Sequence, residues 1–400
     1  MSKAPALSRT ASEIRSSIFA DLAPRIEAFA RRGGRLVELH IGDTHLAPPE
    51  GARFSSSDEG AFDAALYRYG AVGGMDTLRE AFAARLNASG HGPPGVDPAT
   101  EVMVGCGATH AIFCAARAVL DAGDEVLVAS PYWPLTVGVL RSAGAIPVEV
   151  PLTSRLYADP GLDPGAIFEA ALTARTRAIY ITTPNNPDGK VLSKSQLAGV
   201  ARLAIERNLW VISDEVYAEY VYEGVHASIA RIDGMAGRTL SAYSLSKSHA
   251  LAGARVGFAV ASADVVRVAR RVATHTVFNV PVAAQRVALA ALRSPESWLD
   301  DARREYRAAR DATLSALDGS GARTFVPEGG SYAFVDFAAV LGKRPLMTLL
   351  ERAIDKGVLL APGDGFGEGF ASWARLCFTS VPRPDLLEGV ARLREAIAEL

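Results

Sequence analysis

Apolar residues recur in two rhythms along the chain. Short apolar runs at EVMVG (101–105), EVLVAS (125–130), AIYITTP (178–184) and WVISDE (210–215) have the length and β-branched content of strands. Between and before them, Thr77 to Leu86 and THAIFCAARAVL (109–120) carry helical periodicity. Ser193 and Gln196 stand in capping-box spacing, and the segment they open closes near Asn208, so residues 178–215 read as a strand–helix–strand unit. TLSAYSLS (239–246) and RVGFAVAS (255–262) add two more apolar runs. The alternation predicts one α/β domain around a mostly parallel sheet. After Trp298 the pattern changes to a charged helix, DDARREYRAARDATLSAL, then isolated strands around SYAFVDF and ARLCFTS and a final amphipathic helix, which predicts a smaller α+β lobe. Glycine-rich PEGGS (327–331) and PGDGFGEGF (362–370) supply loops that can face the larger domain. Near the N-terminus Ile14, Ile18, Leu22 and Ile26 recur every four residues and predict one amphipathic helix, laid on this chain or on a second subunit. The expected division is 1–48 as an N-terminal arm and part of the small domain, 49–290 as the large domain, and 291–400 as the small C-terminal domain.

Composition narrows the class. With 400 residues and 49% hydrophobic content the chain can bury a large core in more than one lobe. Its 42 basic and 44 acidic residues give a net charge of -2, which offers no electrostatic footprint for nucleic acid or an anionic membrane. Small neutral or zwitterionic ligands suit it better. Cys106, Cys114 and Cys377 are far apart, odd in number and without metal-ligand spacing, which disfavours a disulfide framework or a metal centre and makes a reducing cytoplasm the expectation. No run reaches signal-peptide or membrane-spanning length, so neither export nor membrane insertion is expected.

In an open parallel sheet, ligands sit beyond the carboxyl ends of the strands. Gly105 to Thr109, Pro131 to Trp133, Asn185 to Gly189, Asp214 to Tyr217 and Ser244 to Lys247 all fall there. Each has an ordinary explanation alone. GCGATHA is a tight strand-to-helix turn, PNNPDG is turn chemistry, Asp214 can cap a helix, Trp133 and Tyr217 can be core, and Lys247 with its serines can be a solvated loop. Together they match one requirement. A phosphorylated aromatic aldehyde needs an amine for its carbonyl, donors for its phosphate, a carboxylate for its ring nitrogen and an aromatic face to stack upon.

The ordered set Tyr69-Gly70, GCGATHA, SPYWP, TTPNNPDG, SDEVY, SLSK, Arg255 and ARLCF resembles the pyridoxal-phosphate aminotransferases of fold type I, class I/II, over residues 35–400. The resemblance implies a large domain with a mostly parallel, seven-stranded-type sheet sandwiched by helices, a smaller α+β domain, bound pyridoxal phosphate and a homodimer with shared active sites. Position by position, Lys247 resembles the Schiff-base lysine, and Ser244, Ser246 and Arg255 resemble the phosphate ligands. Two hydroxyls at i and i+2 of an extended segment can point the same way, and Arg255 supplies a planar fork suited to phosphate. Gly107, Ala108 and Thr109 would complete the cup at a helix N-terminus. Asp214 resembles the ring-nitrogen partner, Asn186 and Tyr217 the partners of the ring hydroxyl, and Trp133 the stacking aromatic. Tyr69 resembles the residue that reaches the phosphate of the neighbouring subunit. Gly42, Trp133, Asn186 and Arg375 stand on the substrate side, where Arg375 would grip an α-carboxylate through two parallel hydrogen bonds.

The activity implied is ping-pong transamination between an L-amino acid and a 2-oxo acid, with Lys247, Asp214 and Tyr217 as the catalytic set. Lyases and cyclases of the same fold, which act by β- or γ-elimination, share these positions and form the alternative. A cofactor-binding regulator would need a DNA-binding segment, which residues 1–35 are too few and too unbasic to provide. A nucleotide-binding protein would need a Gly-Lys-Ser/Thr ending or a GxGxxG run. Three positions depart from the common family pattern: HIGDTHL stands where Gly-Glu-Pro is frequent, Asp188 replaces a threonine, and Ala254 replaces a Trp or Leu. They bear on the substrate, since Asp43 or His45 could read a polar side chain, although a helix or loop cap is the simpler explanation of both.

Overall fold

The computed structural model describes residues 5–14, 19–54 and 63–400. Its larger sheet has seven strands: β1 (Val102–Cys106), β2 (Glu125–Ser130), β3 (Ile146–Pro151), β4 (Thr176–Thr182), β5 (Trp210–Asp214), β6 (Thr239–Ser244) and β7 (Val256–Val260), in the spatial order β1-β7-β6-β5-β4-β2-β3. The sheet is buried on both sides, as near-continuous apolar strands require. Alternate residues go to opposite faces: Val126, Val128, Tyr180 and Ile212 join one core, whereas Leu127, Ile179, Ile181 and Val211 join another.

All neighbouring pairs are parallel except those of β7, which runs antiparallel to both β1 and β6. This single reversal matters for function. The carboxyl ends of six strands share one edge of the sheet, and β7 brings its amino end, headed by Arg255, to that same edge. Arg255 can therefore meet Lys247, which follows β6, across one tight connection.

The smaller sheet is antiparallel, in the order Ala361–Pro362, β9 (Trp373–Cys377), β8 (Tyr332–Asp336) and Arg323–Thr324. Helices Ser297–Leu317, Leu346–Lys356 and Arg383–Ala398 cover it, and their buried Leu349, Leu350, Leu386, Val390 and Leu393 form one core with Val335, Leu376 and Phe378. Leu22, Val37 and Leu39 enter the same core, and Val37–Glu38 pairs in parallel with Val358–Leu359. The two glycine-rich loops face the large sheet's ligand edge. Gly329 donates its N–H to Gly189 O at 3.0 Å and Gly330 to Tyr220 O at 2.8 Å.

Helix 194–206 opens on the expected capping box, with Ser193 Oγ accepting from Gln196 N and Gln196 Oε1 from Ser193 N. The N-terminal expectation needs correction. Instead of one helix there are two, Arg9–Ser12 and Ala23–Arg31, with Ile14 between them and Ile18 outside the described residues. Pro24 has no N–H to give to a preceding turn, so it starts a helix rather than continuing one. Among the described residues no helix is long and apolar enough to cross a membrane, and no cluster of His, Cys, Asp and Glu is arranged to hold a metal ion. All three cysteines are free.

Candidate active site

At the shared edge of the sheet is a cavity of about 290 Å³ lined by Gly42, Ala108, Thr109, Trp133, Asn186, Asp214, Tyr217, Ser244, Ser246, Lys247, Arg255 and Arg375. Residues from positions 42 to 375 are thus gathered by the ends of β1, β2, β4, β5 and β6, the start of β7 and the middle of β9. Two expected residues are not in the lining. Gly107 has φ +72°, a conformation that favours glycine, and a Cβ there would stand 2.6 Å from Arg255 Nη2. Tyr69 is 87% exposed, packs edge-on against Phe278, and does not line the cavity of its own chain.

Lys247 sits in a single helical turn, Leu245–Ser248, directly after β6. Here the expected geometry of the serines is wrong. Ser244 is extended, but Ser246 is helical, so their convergence does not come from strand alternation; Ser244 Oγ instead caps the turn, accepting from Ser246 N at 3.1 Å. The turn is pinned from behind by Tyr220 Oη, which donates to Ser248 O at 2.8 Å. Lys247 Nζ donates to Gly42 O.

The anion cup follows from helix physics. Helix Gly107–Val119 has no side-chain cap; Gly107 N donates to Arg255 O at 2.9 Å, and the next two residues of the first turn, Ala108 and Thr109, line the cavity, where their amides can meet a ligand. Gly257 has no room for a Cβ beside Ala108 N, so the backbone of β7 closes against this turn. Arg255 is held in a left-handed conformation, φ 55°, and its Nη1 donates to Ala252 O at 2.9 Å.

Asp214 ends β5 with 4% exposure. Burial pushes its carboxyl up to about 6, although Tyr180 Oη donates to its Oδ2 at 3.0 Å and Val216 N to its Oδ1 at 3.3 Å. The residues around it supply no cation, and a protonated ring nitrogen is the kind of partner that would settle it. Tyr217 Oη shares a hydrogen bond of 2.8 Å with Tyr332 Oη, and burial holds the Tyr217 phenol protonated well above neutral pH.

On the opposite wall Arg375, 6% exposed, donates from Nη1 to Asn186 Oδ1 at 3.0 Å and from Nη2 to His40 O at 2.7 Å. Its guanidinium lies 4.2 Å from the Tyr332 ring centroid, and its buried Nε has no hydrogen-bond partner among the described residues. Gly42 is tight for a steric reason, because a Cβ there would collide with the Tyr332 hydroxyl.

Tyr180, Tyr332 and His40 carry the site without having been singled out by the sequence reading. The available signal for Tyr180 was a phenol inside an otherwise apolar buried run. Asp43, His45 and Asp188 lie outside the cavity lining. Asp43 Oδ1 accepts from Thr44 N at 2.9 Å, a local loop contact, and His45 Nδ1 is 3.0 Å from Thr379 O, which ties this loop to the segment after β9. Asp188 is buried and ties Thr153 Oγ1 (2.6 Å), Asn185 Nδ2 (2.8 Å) and Lys190 N (3.2 Å) together, shaping the PNNPDG turn from behind.

Known proteins resemble this chain over nearly its whole length. The profile of the family described as Aminotransferase class I and II matches residues 36–393. The arginine–pyruvate transaminase of Pseudomonas aeruginosa is 34% identical over 391 residues, covering 95% of this chain and 94% of the relative. Aromatic-amino-acid aminotransferase 2 of Thermococcus litoralis is 32% identical over 392 residues, covering 97% and 96%. Among solved structures, the aspartate aminotransferase of Thermus thermophilus with maleate superposes with a TM-score of 0.85 at 28% identity, covering 98% of this chain and 100% of that one. With the family profile matched over nearly the whole chain, this protein belongs to the class I and II aminotransferases.

Proposed function

We propose that the chain binds pyridoxal phosphate in the 290 Å³ cavity and transaminates an L-amino acid with a 2-oxo acid through Lys247, as a cytoplasmic homodimer. The observation that carries this reading is the convergence on one cavity of an amine, an uncompensated buried carboxylate, an uncapped helix start with Arg255, and a buried arginine whose Nε has no hydrogen-bond partner among the described residues. The residues fit the cofactor: Ala108, Thr109, Ser244, Ser246 and Arg255 would hold the phosphate, Trp133 would lie against the ring, Asp214 would hold the proton of the ring nitrogen, and Asn186 and Tyr217 would donate to the ring hydroxyl. When bound, pyridoxal phosphate supplies an aldehyde carbon for the amino group and a protonated ring that accepts the electron pair left at the substrate Cα.

The remaining work belongs to the chain. Arg375 fixes the α-carboxylate, and its grip sets the direction in which the Cα–H bond points. Lys247 Nζ would take the proton from the substrate Cα and hold it for return, the same amine serving in the opposite direction for the incoming 2-oxo acid. Tyr217, kept protonated by burial, holds its hydrogen bond without exchanging a proton at neutral pH. The relatives' names span arginine, aromatic and aspartate donors, so they support the reaction and leave the donor open. Loaded protein given one amino acid should release the matching 2-oxo acid once per site and continue only when an acceptor is added. Continuous release with ammonia and no acceptor would show a lyase instead.

Arg375→Ala is expected to raise KM by about 10- to 100-fold, because a charge-assisted pair is lost, with a smaller change in kcat. Steady-state kinetics on a monocarboxylic donor checks this.

The dimer bears on Tyr69. Exposed Tyr69 packs edge-on against Phe278 and is not among the residues lining the cavity of its own chain. Mixing Lys247→Ala with Tyr69→Ala chains and letting them re-pair is expected to restore activity above that of either parent, since one site then has both native residues. No gain on mixing would place Tyr69 outside the active site.

A further inference from the structure

The two sheets meet along the PEGGS loop (327–331), which ends where β8 begins. We propose that Glu328 and Lys190 form a positioning clamp across this junction, which holds the PNNPDG turn against the start of β8 and so aligns the Arg375 grip on the substrate's α-carboxylate. The inference rests on the aminotransferase reading of the cavity and adds to it two residues that do not line it.

Charge is the first argument. Lys190 has 6% exposure, and a buried ammonium needs a partner. Its Nζ donates to Glu328 Oε1 at 2.6 Å, and the neighbouring Val191 N donates to Glu328 Oε2 at 2.9 Å. Both oxygens of one carboxylate are thus given to two successive residues of the other segment. The Lys190 amine also lies 4.8 Å from the Tyr157 ring centroid, and Tyr157 stacks on Phe325 at 4.4 Å while its Oη donates to Asp188 O at 2.9 Å. A pair fixed at this many points has one geometry, which a solvated surface pair does not.

The second argument is fit. Gly329 N donates to Gly189 O at 3.0 Å, Asn185 N to Lys190 O at 2.8 Å, and Tyr222 N to Glu328 O at 2.7 Å. A Cβ on Gly189, φ +75°, would stand 2.5 Å from Pro327 Cβ, and one on Gly329 would stand 2.6 Å from Tyr220 O. The two segments therefore touch backbone to backbone, and the clamp closes a junction already built to close tolerance.

The third argument is what the clamp holds. Asn186 is four residues before Lys190, and Tyr332 is four residues after Glu328. Arg375 touches both: its Nη1 donates to Asn186 Oδ1 at 3.0 Å, and its guanidinium lies 4.2 Å from the Tyr332 ring centroid. Arg375 is itself on β9, paired with Phe334 of β8. The grip is assembled from both sheets, so the separation of Asn186 from Tyr332 sets the direction of the guanidinium. A guanidinium that takes a carboxylate through two parallel bonds tolerates little misalignment.

The test reads the grip separately from the cofactor. On cofactor-loaded protein, Glu328→Ala is expected to raise KM for the amino donor by about three- to thirtyfold while kcat changes by less than about threefold, the pattern of lost substrate binding. The tightest-binding of propionate, hexanoate and maleate, carboxylates with no amino group to react, should lose affinity by a similar factor in calorimetry. Glu328→Gln, which keeps one acceptor oxygen, should fall between native and Glu328→Ala. Should Glu328→Ala fold poorly with Lys190 left unpaired, the charge-free Lys190→Met/Glu328→Met carries the same expectation. In an Arg375→Ala background either change should add less than about twofold to KM, since no grip is left to align. Unchanged KM and carboxylate affinity in a folded variant, or the full effect without Arg375, overturns the inference and leaves the aminotransferase reading standing. A parallel loss of cofactor affinity and kcat also overturns it, because the pair then serves the fold as a whole. Carboxylate affinity that depends on the clamp, with no conversion by any amino acid, keeps the clamp and overturns the reading of the reaction.

Discussion

Lys247→Ala, loaded with pyridoxal phosphate, is expected to lose the half-reaction with its amino donor by at least about three orders of magnitude, the scale of a positioned proton carrier. It should also lose the borohydride-fixed pyridoxyl label that mass mapping finds on residue 247 of the native chain. The fold should survive. Lys247 is half-buried and gives up one bond, to Gly42 O, whose removal costs about 1 kcal/mol. The competing candidate is Lys190, a lysine with 6% exposure, but it is paired with Glu328 at 2.6 Å and is absent from the cavity lining. A pyridoxyl label on Lys190, or a half-reaction at native rate in the Lys247→Ala variant, would overturn the assignment. Position explains why one lysine suits the chemistry and the other does not. Lys247 stands on a capped turn at the edge where six strands end, with its amine directed to a backbone oxygen that a ligand can replace. Lys190 is neutralised by its partner and serves the turn that carries Asn186.

Much of this geometry was legible in the sequence because strand ends and turn residues coincide in it. An apolar run followed by glycine, proline or a capping residue says where a strand stops, and in a parallel sheet the stops share an edge, so Ala108, Trp133, Asn186, Asp214 and Lys247 could be gathered without coordinates. Arg255 required more. It precedes its strand, and only the antiparallel course of β7, a matter of long-range pairing, brings it to that edge. β3 was not legible, since IPVEVP contains two prolines and a charge. Such a strand is stable only at the edge of a sheet, where missing N–H donors are tolerated and which no local pattern announces. Ser246 was misplaced because helical and extended continuations of β6 put a hydroxyl at the same sequence distance, and the choice was made by the Ser244 cap. Tyr180, Tyr332 and His40 act through partners distant in sequence, Asp214, Tyr217 and Arg375, so their roles exist only in the folded chain.

Asp214→Asn is expected to move stability and activity in opposite directions. The wild-type carboxyl, shifted by burial from 3.8 to about 6, costs the cofactor-free protein about 3 kcal/mol at pH 7 relative to an unburied aspartate. The sign follows from proton binding. Between 3.8 and about 6 the folded chain holds this proton more tightly than the unfolded chain does, so this group's contribution to stability is intact below pH 3.8 and declines as pH rises through about 6. Asparagine removes the titration and keeps an acceptor for Tyr180 Oη, although its amide gains a donor without a partner, at a cost of about 1 kcal/mol. The cofactor-free variant should therefore be about 2 kcal/mol more stable than wild type in urea at pH 7.5, an advantage that disappears by pH 4. Loaded with cofactor, the same variant should lose its half-reaction by at least about two orders of magnitude, because no carboxylate holds the proton on the ring nitrogen. It should also retain the cofactor more weakly. If instead the variant is destabilised equally at both pH values, Asp214 is a structural cap whose charge is already compensated. The predicted combination, a stabler chain with a poorer site, is the signature of a carboxylate buried for a cationic ligand: its desolvation is offset only when the ring nitrogen beside it carries a proton.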